Sequence, residues 1–340
     1  MRAGSMAGMV EPPAASWSEA VGEADWIRER LTPFAAHVVA SVVPGGFEAY
    51  ARVLHPAAVF APGEGPPVRW RDVAAWSGTS VRSDTQYHSI ALPPTRPAGE
   101  APWKGQHGPS IGTLYPPDVL VLAELLRAAT RTPEHCFLCV WEGYGWEGHW
   151  LIPRRREPSE LIPGPVPEPV LRAPRVRLPN RDYLLYTGCV EDAVTSALFG
   201  HVLHQPANLW WPEDRAWCVA SEIDLPWTYV GGSAAVIERV LADPRIEAVP
   251  ATVDDPVTRV EEWVRAWVDA GVAALLATGE ATITTSMGTL EASLERPGRF
   301  RSGALQCGRG GWSLPPSNEA GLRRTLSAYL THAVIGLVGG

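Results

Sequence analysis

The sequence predicts an α+β protein in which helices pack against mixed or antiparallel sheets. Its 340 residues are enough for two or three domains, and a composition of 46% hydrophobic and 19% charged residues is typical of a globular chain. Apolar residues recur at helical spacing in residues 116–130 and 257–277, which predicts two amphipathic helices. Apolar and polar residues alternate in residues 215–224 and 280–295, which predicts strands. The two periodicities together indicate the α+β class.

Local signals place the elements of the first half. Helical spacing predicts a helix over residues 17–31. β-branched or alternating runs predict strands over residues 35–43 and 47–59. Residues 116–130 begin with prolines and an acidic residue, which are typical of a helix N-terminus. Residues 136–141 are apolar, which predicts a buried strand over residues 136–142.

The middle of the chain predicts a β-α-β-β-α-β order, which matches a ferredoxin-like unit. Its elements are, in order, strand 181–187, helix 191–200, strand 215–224, strand 227–230, helix 233–241 and strand 245–249. Ser233 is the predicted N-cap of the second helix. In the last part, the helix 257–277 is followed by a hairpin at 280–295, a strand at 304–314 and a helix at 317–338. This part predicts a small helix-β-β-β-helix domain.

Composition divides the chain into five segments. Residues 1–16 hold little that can be buried and predict a flexible tail. Residues 17–156 predict an N-terminal α+β domain and residues 181–255 a central α+β domain. Between them, residues 157–180 are rich in proline, which predicts an extended linker. Residues 256–340 complete the chain as a C-terminal α+β domain.

The densest segment is residues 208–233, which contains four tryptophans and a Gly-Gly turn. Charged groups lie at both ends of its predicted strand 215–224, with aromatic residues between them. One interpretation is an ion pair beside tryptophans packed in the core, because tryptophan mostly serves burial. The other is a pocket with tryptophan walls and charged groups that bind a ligand. The candidate ligand-binding residues are Trp210, Trp211, Asp214, Arg215, Trp217, Glu222, Asp224, Trp227 and Tyr229.

Two carboxylates of this segment are candidates for acid-base chemistry. Glu222 and Asp224 are two residues apart on a predicted strand, so they share one face at a spacing of about 7 Å. Such a pair can act as general acid and base or hold a divalent cation, and a solvated strand face has the same pattern. A hydrolase would combine them with a histidine from the long loop at residues 77–109, and Glu142 is a further candidate. The histidines considered for this role are His55, His88, His107, His135 and His149.

Charge and motif content argue against several classes of function. A net charge of −8 does not suit a nucleic-acid binder, which needs a basic surface. No apolar run reaches the length of a membrane span and no secretory signal is present, so we expect a cytoplasmic protein without a membrane partner. The P-loop pattern is absent from the sequence; GPSIG at residues 108–112 and GYGWEG at residues 143–148 match the bare GxSxG and GxGxxG spacings, but neither lies between a predicted strand and a predicted helix, as those motifs require. We therefore expect no nucleotide cofactor and assign no catalytic residue.

The cysteines and histidines do not predict a metal site. Five scattered cysteines fit reduced thiols in the cytoplasm. Cys136 and Cys139 form a CxxC pattern on a predicted strand, where residues three apart point to opposite faces, so buried structural thiols are favoured over a redox pair. His201 and His204 have no further ligands at a suitable spacing.

Four sequence motifs resemble a family. They are TPEHCFLCVWEGYG at residues 132–145, RDYLLYTG, NLWWPEDRAWCVASEID and TYVGGS. Together they resemble a large actinobacterial family of uncharacterised activity, over about residues 26–255. This resemblance implies no activity, cofactor or catalytic residue, and the region after residue 256 is interpreted as an accessory domain.

The leading hypothesis is a binding or protein-interaction module. Its tryptophan-rich, acidic residues would form one surface that recognises a protein or a small polar ligand, and the alternative is the hydrolase described above. A recognition surface would leave the aromatic rings partly exposed, whereas an enzyme needs a concave pocket with a perturbed acid or base. If the tryptophans serve only as core, their rings are buried entirely.

Overall fold

The structure is a computed structural model. It describes residues 16–59, 65–102, 108–144, 148–151, 160–163, 166, 168–194, 205–286, 288–295, 304–307, 310–313 and 319–336. The chain divides into two compact units. Unit one comprises Met1–His55 and Ser110–Val257, and unit two comprises Pro56–Pro109 and Thr258–Gly340.

The described elements confirm the α+β class. The strands are β1 (Ser16–Trp17), β2 (Ala49–Leu54), β3 (Cys136–Trp141), β4 (Gly148–Leu151), β5 (Glu160–Pro163), β6 (Val176–Leu178), β7 (Arg181–Gly188), β8 (Leu209–Pro212), β9 (Cys218–Ser221), β10 (Trp227–Gly232), β11 (Ala248–Ala251), β12 (Glu280–Thr285), β13 (Gly288–Glu295), β14 (Ala304–Cys307) and β15 (Gly310–Ser313). The α-helices are α1 (Asp25–Arg30), α2 (Trp70–Ser77), α3 (Tyr87–Ala91), α4 (Pro116–Arg127), α5 (Glu168–Leu171), α6 (Ala234–Ala242), α7 (Glu262–Thr278) and α8 (Glu319–Gly336). Short 3-10 helices lie at Val21–Ala24, Phe34–Ala36, Val39–Ser41, Glu142–Tyr144 and Val190–Val194.

Unit one is organised around a nine-stranded antiparallel sheet. The strand order is β1-β7-β3-β8-β9-β10-β2-β11, and β6 pairs with β7 beside β1. Since side chains alternate between the faces of a strand, the sheet has two apolar faces to cover. One face packs on α4, α6 and the 3-10 helix Val190–Val194 in one hydrophobic cluster. On the other face, Trp26 of α1 packs edge-on against Trp211 with ring centroids 6.4 Å apart.

The ferredoxin-like arrangement expected for residues 181–249 is not found. β3 lies between β7 and β8, and β2 lies between β10 and β11. Both inserted strands come from the predicted N-terminal domain, so the predicted boundary at residues 157–180 does not separate the two compact units. That segment also carries β5, α5 and β6 instead of forming only an extended linker.

Some predicted elements were placed correctly, and others differ in type or in bounds. α4 and α6 lie where helices were predicted, and the Ser233 hydroxyl caps α6 by accepting a hydrogen bond from Val236 N at 3.4 Å. Residues 35–43, predicted as a strand, form two 3-10 turns. His37 has a left-handed backbone (φ 51°), which interrupts the extended conformation that a strand requires.

Unit two contains a four-stranded antiparallel sheet in the order β12-β13-β14-β15. Residues 304–314, predicted as one strand, form the hairpin β14–β15. α7 packs on β12 and β13, and α8 packs on α7 and β14. A Cβ at Gly271 of α7 would lie 2.6 Å from Ile283 Cδ1, so glycine allows the close approach of this helix to the sheet. No helix among the described residues has the length and apolarity needed to cross a bilayer.

Candidate functional site

The aromatic candidates belong to the core of unit one. Trp210, Trp211, Trp217, Trp227 and Tyr229 are each at most 2% exposed. Trp210 and Trp217 pack edge-on with ring centroids 5.1 Å apart, in the hydrophobic cluster on the sheet face that packs on α4 and α6. Strand alternation places Trp211, Trp227 and Tyr229 on the opposite face. The five rings therefore do not lie on one exposed surface.

Asp214 fixes the turn between β8 and β9. Its carboxylate accepts hydrogen bonds from Thr130 Oγ1 at 2.7 Å, Arg131 N at 2.8 Å and Ala216 N at 3.2 Å. Burial alone would raise the pKa of Asp214, but these hydrogen bonds outweigh it and lower the pKa. The next residue, Arg215, has a left-handed backbone (φ 55°), so the strand predicted over residues 215–224 is shortened to β9. Asp214 is thus a structural residue of this turn.

Arg215 points back to the N-terminal segment. Its guanidinium lies 5.6 Å from the ring centroid of Trp26, and it forms an ion pair with Glu23 at 3.7 Å. Arg30 lies 5.4 Å from the same Trp26 centroid. Arg215 therefore supports the packing of α1 on the sheet through cation-π contact.

Glu222 and Asp224 share one cation. Arg181 donates Nε to Glu222 Oε1 at 3.0 Å, and its Nη2 also bonds to Glu222 and, at 2.9 Å, to Asp224 Oδ2. The guanidinium lies 5.3 Å from the ring centroid of Phe34. Burial raises the pKa of Glu222, and the Arg181 contacts oppose that rise. The two carboxylates are therefore held in an ion-pair cluster that ties β7 to the segment after β9.

We expect Arg181→Met to destabilise unit one by about 2 kcal/mol, because it leaves the Glu222 carboxylate, 7% exposed, without its cation. Adding Glu222→Gln to this variant is expected to recover much of the loss, because a neutral amide costs less to bury. Urea denaturation of wild type, both single variants and the double variant measures this coupling. If the double variant is as unstable as Arg181→Met alone, the ion pair is not the source of the loss.

Buried polar groups missed by the sequence analysis link the loops at one end of the sheet. Asn208 is 1% exposed, and its Oδ1 accepts from Trp141 N at 3.0 Å. Its Nδ2 donates to Gly112 O and to the Tyr144 hydroxyl, each at 3.1 Å. The Tyr144 hydroxyl donates to Gly112 O at 3.3 Å. These bonds fix the position at which the chain enters β8. They supply hydrogen-bond partners for buried polar groups, which is a structural role.

A cavity of about 380 Å³ lies at the other end of the central strands of unit one. It lies where β3 begins, β7 ends and the chain leaves β8. These three points are adjacent because Cys136 pairs with both Gly188 and Pro212. We call it the Glu213 pocket. It is lined by Glu134, His135, Cys136, Phe137, Thr187, Gly188 and Glu213.

The Glu213 pocket has one rigid aromatic wall. The half-buried ring of Phe137 stacks on Trp211 with centroids 5.4 Å apart and an interplanar angle of 22°. Trp211 is fully buried and is itself held by Trp26. One face of Phe137 is therefore supported by the core, so the ring keeps its place at the pocket.

The segments at the mouth of the pocket are joined by a backbone hydrogen bond, and one of their carboxylates is held by an ion pair. Glu213 N donates to His135 O at 2.9 Å, which joins the two lining segments. Arg127 binds Glu191 at 2.9 Å and also contacts Glu134. Glu134, His135 and Glu213 are all exposed. The sequence signal for this site was present, because Glu134 and His135 lie in the resemblance motif at residues 132–145 and Glu213 adjoins Asp214.

The thiols of unit one are free and inert. Cys136, Cys139, Cys189 and Cys218 are free and buried. Burial raises the pKa of Cys136 and of Cys189, each to about 12. A thiol with a raised pKa is a poor nucleophile and a poor metal ligand. Within the described ranges, no group of three or more His, Cys, Asp or Glu residues is arranged to hold a metal ion.

Comparison with known proteins gave no match to a family model, to a curated protein or to a solved structure.

Proposed function

We propose that this protein is a binding or protein-interaction module whose ligand or partner docks in the Glu213 pocket. The observation that carries the proposal is a cavity of about 380 Å³ with carboxylates, an imidazole and a hydroxyl around a supported aromatic ring. This volume lies at the small end of the range of about 300 to 1,000 Å³ that is usual for ligand pockets. A few polar groups around an apolar wall are typical of such sites.

The proposed function is of the kind expected from residues 208–233, but the surface that contacts the ligand is the Glu213 pocket and not the tryptophans. Trp211 supports it from within by holding Phe137, and Asp214 supports it by fixing the turn that presents Glu213. Both act as positioning residues. Trp210 and Trp217 contribute to the stability of the scaffold.

The hydrolase alternative has less support. Glu222 and Asp224 both bind Arg181, so each carboxylate is already engaged by a guanidinium. Of the loop histidines, His88 lies in α3 of unit two and is buried, and His107 lies outside the described residues.

The test is ligand-induced thermal stabilisation with two pocket variants. Wild type, Glu213→Gln and Phe137→Leu are screened against amino acids, polyamines, sugars, nucleotides and metal salts, with tryptophan fluorescence as the second readout. We expect a ligand that raises the Tm of wild type and shifts its Trp fluorescence, because Trp211 stacks directly on a lining residue. The two pocket variants are expected to lose most of this response.

The matched control is Glu238→Gln. Glu238 is an exposed carboxylate on α6 and does not line the Glu213 pocket. Its removal changes the net charge by the same amount as Glu213→Gln and is expected to leave the ligand response intact. A ligand response that is equal in wild type and Glu213→Gln, or no response to any compound, would contradict the proposed site.

A further inference from the structure

The surroundings of the Glu213 pocket carry an excess of negative charge. The carboxylates of the lining and of the adjoining turns are Glu134, Glu191, Asp192, Glu213 and Asp214. The described cations that pair with them are Arg127 and Arg131. Glu191, Asp214 and Asp192 each add to the raised pKa of the Cys136 thiol, after the larger effects of burial and Cys189. The carboxylates around the floor of the pocket therefore disfavour any further negative charge there.

The aromatic wall is an observation independent of these charges. A cation positioned over an aromatic face within about 6 Å of its centroid is attracted by the ring quadrupole. Phe137 is supported on one side by Trp211, so the ring does not have to be ordered when a ligand arrives. The structure already shows this chemistry within unit one, where Arg52 lies 4.7 Å from the ring centroid of Trp227.

We infer that the ligand of the Glu213 pocket carries a guanidinium group, which binds the carboxylate of Glu213 and stacks beside Phe137. This inference rests on the proposed function, because it names the ligand class of the same pocket. Glu213 and Glu134 both line the cavity; within the described residues Glu213 makes no side-chain ion pair, whereas Glu134 is paired with Arg127. Binding a cation there replaces repulsion between like charges by attraction.

A guanidinium fits this arrangement better than an ammonium. It is planar, so it stacks on an aromatic ring, and its forked donors match the two oxygens of a carboxylate. It is also less strongly hydrated than an ammonium, so it enters a partly apolar cavity at a lower desolvation cost. Two sources supply this chemistry, a free small molecule of the arginine type and an arginine side chain of a partner protein.

The experiment compares L-arginine with L-citrulline, which has nearly the same shape but a neutral urea group. Both are titrated into the full chain at low ionic strength and followed by calorimetry and tryptophan fluorescence. We expect citrulline to bind at least about tenfold more weakly, and Glu213→Gln to weaken arginine binding by about tenfold, which corresponds to about 1.4 kcal/mol. Glu238→Gln is expected to bind arginine as wild type does.

Two further arms test stacking and the source of the ligand. Phe137→Leu is expected to weaken arginine binding more than lysine binding, because only the planar group stacks. A capped Ala-Arg-Ala peptide carries the same side chain without free amino and carboxyl groups. Tighter binding of the peptide supports a partner protein, and tighter binding of the free amino acid supports a small molecule.

The outcomes separate this inference from the proposed function. If citrulline binds as well as arginine, or if arginine binding does not depend on Glu213, the guanidinium inference is overturned. If a neutral or anionic compound instead binds in a manner that depends on Glu213 and Phe137, the pocket stands and only the ligand class is wrong. If neither substitution changes the binding of any compound, both the proposed ligand class and the proposed pocket are wrong.

Discussion

Replacing Gly112 with alanine is expected to destabilise unit one by about 3 kcal/mol or more. Gly112 has a left-handed backbone (φ 73°), which an L-residue adopts at a cost of about 1 to 2 kcal/mol. A Cβ at this position would also lie 2.7 Å from Ile223 O and 2.8 Å from Ile223 Cα. Both are backbone atoms, so a rotamer change cannot relieve the contact.

The loop around Gly112 has little freedom to move away. Gly112 N donates to Leu225 O at 2.9 Å, and Gly112 O accepts from Asn208 Nδ2 at 3.1 Å and from the Tyr144 hydroxyl at 3.3 Å. A shift that relieves the new methyl group lengthens these bonds and leaves buried polar groups unsatisfied. The strain and the lost bonds therefore act together.

Gly46→Ala is the matched control. Gly46 lies in the same unit and also has a positive φ (94°), but a methyl group added there would have Arg30 Nη1 as its nearest neighbour at 3.5 Å, an ordinary contact. We expect this variant to lose only the cost of the positive φ, about 1 to 2 kcal/mol. Urea denaturation of both variants measures the difference, and equal losses would mean that the Ile223 contact does not constrain Gly112.

The sequence predicted local elements of this protein better than their order in the sheet. α6 was predictable because Ser233 caps it and its apolar residues recur at helical spacing, and both signals lie within ten residues. The insertion of β2 and β3 into the sheet was not predictable, because the pairing of Val53 with Thr228 joins residues far apart in the chain. No local pattern records such a pairing.

The candidate site shows a similar division. Residues 208–233 were singled out because tryptophans and charges are dense there, but composition does not distinguish an exposed aromatic from a buried one. Trp211 and Phe137 illustrate this, since only the register of β3 against β8 makes them neighbours. Glu213 was passed over in favour of Asp214, although it is the residue that lines the pocket. The direction of each side chain depends on the turn, where Arg215 adopts a left-handed backbone.

Acidification from pH 6.5 to about pH 4 is expected to remove about 3 kcal/mol of stability through His55 alone. His55 is fully buried, and this burial lowers its pKa from 6.5 to about 4, against the opposing effect of its hydrogen bond to Ser110. In the unfolded chain the imidazole has its ordinary pKa of about 6.5. As the pH falls, His55 therefore binds a proton in the unfolded state at a higher pH than in the folded state. The free energy of unfolding falls as the pH drops from about 6.5 to about 4.

The hydrogen bonds of His55 fix its neutral tautomer. Nδ1 lies 2.6 Å from Ser110 O, a carbonyl that can only accept, so Nδ1 carries the hydrogen. Nε2 then accepts from the Thr228 hydroxyl at 2.9 Å, and the Ser221 hydroxyl donates to Thr228 Oγ1 at 2.6 Å. If Nε2 also carried a proton, it would become a donor toward the Thr228 hydroxyl. The Thr228 and Ser221 hydroxyl hydrogens would then both have to reorient. Burial is the cause that lowers the pKa of His55, while its hydrogen bond to Ser110 opposes that shift.

His55→Gln tests this assignment by urea denaturation at a series of pH values between 7.5 and 4. The variant is expected to be less stable than wild type at pH 7.5, because the glutamine fits the network less well, but to lose less stability on acidification. His37→Asn is the control, because His37 is exposed and asparagine tolerates its left-handed backbone. His88, also buried with a pKa lowered to about 4 chiefly by burial, remains in every variant, so only the difference from wild type reports on His55. Equal losses of stability in wild type and His55→Gln between pH 6.5 and 4 would show that His55 is not the group that titrates.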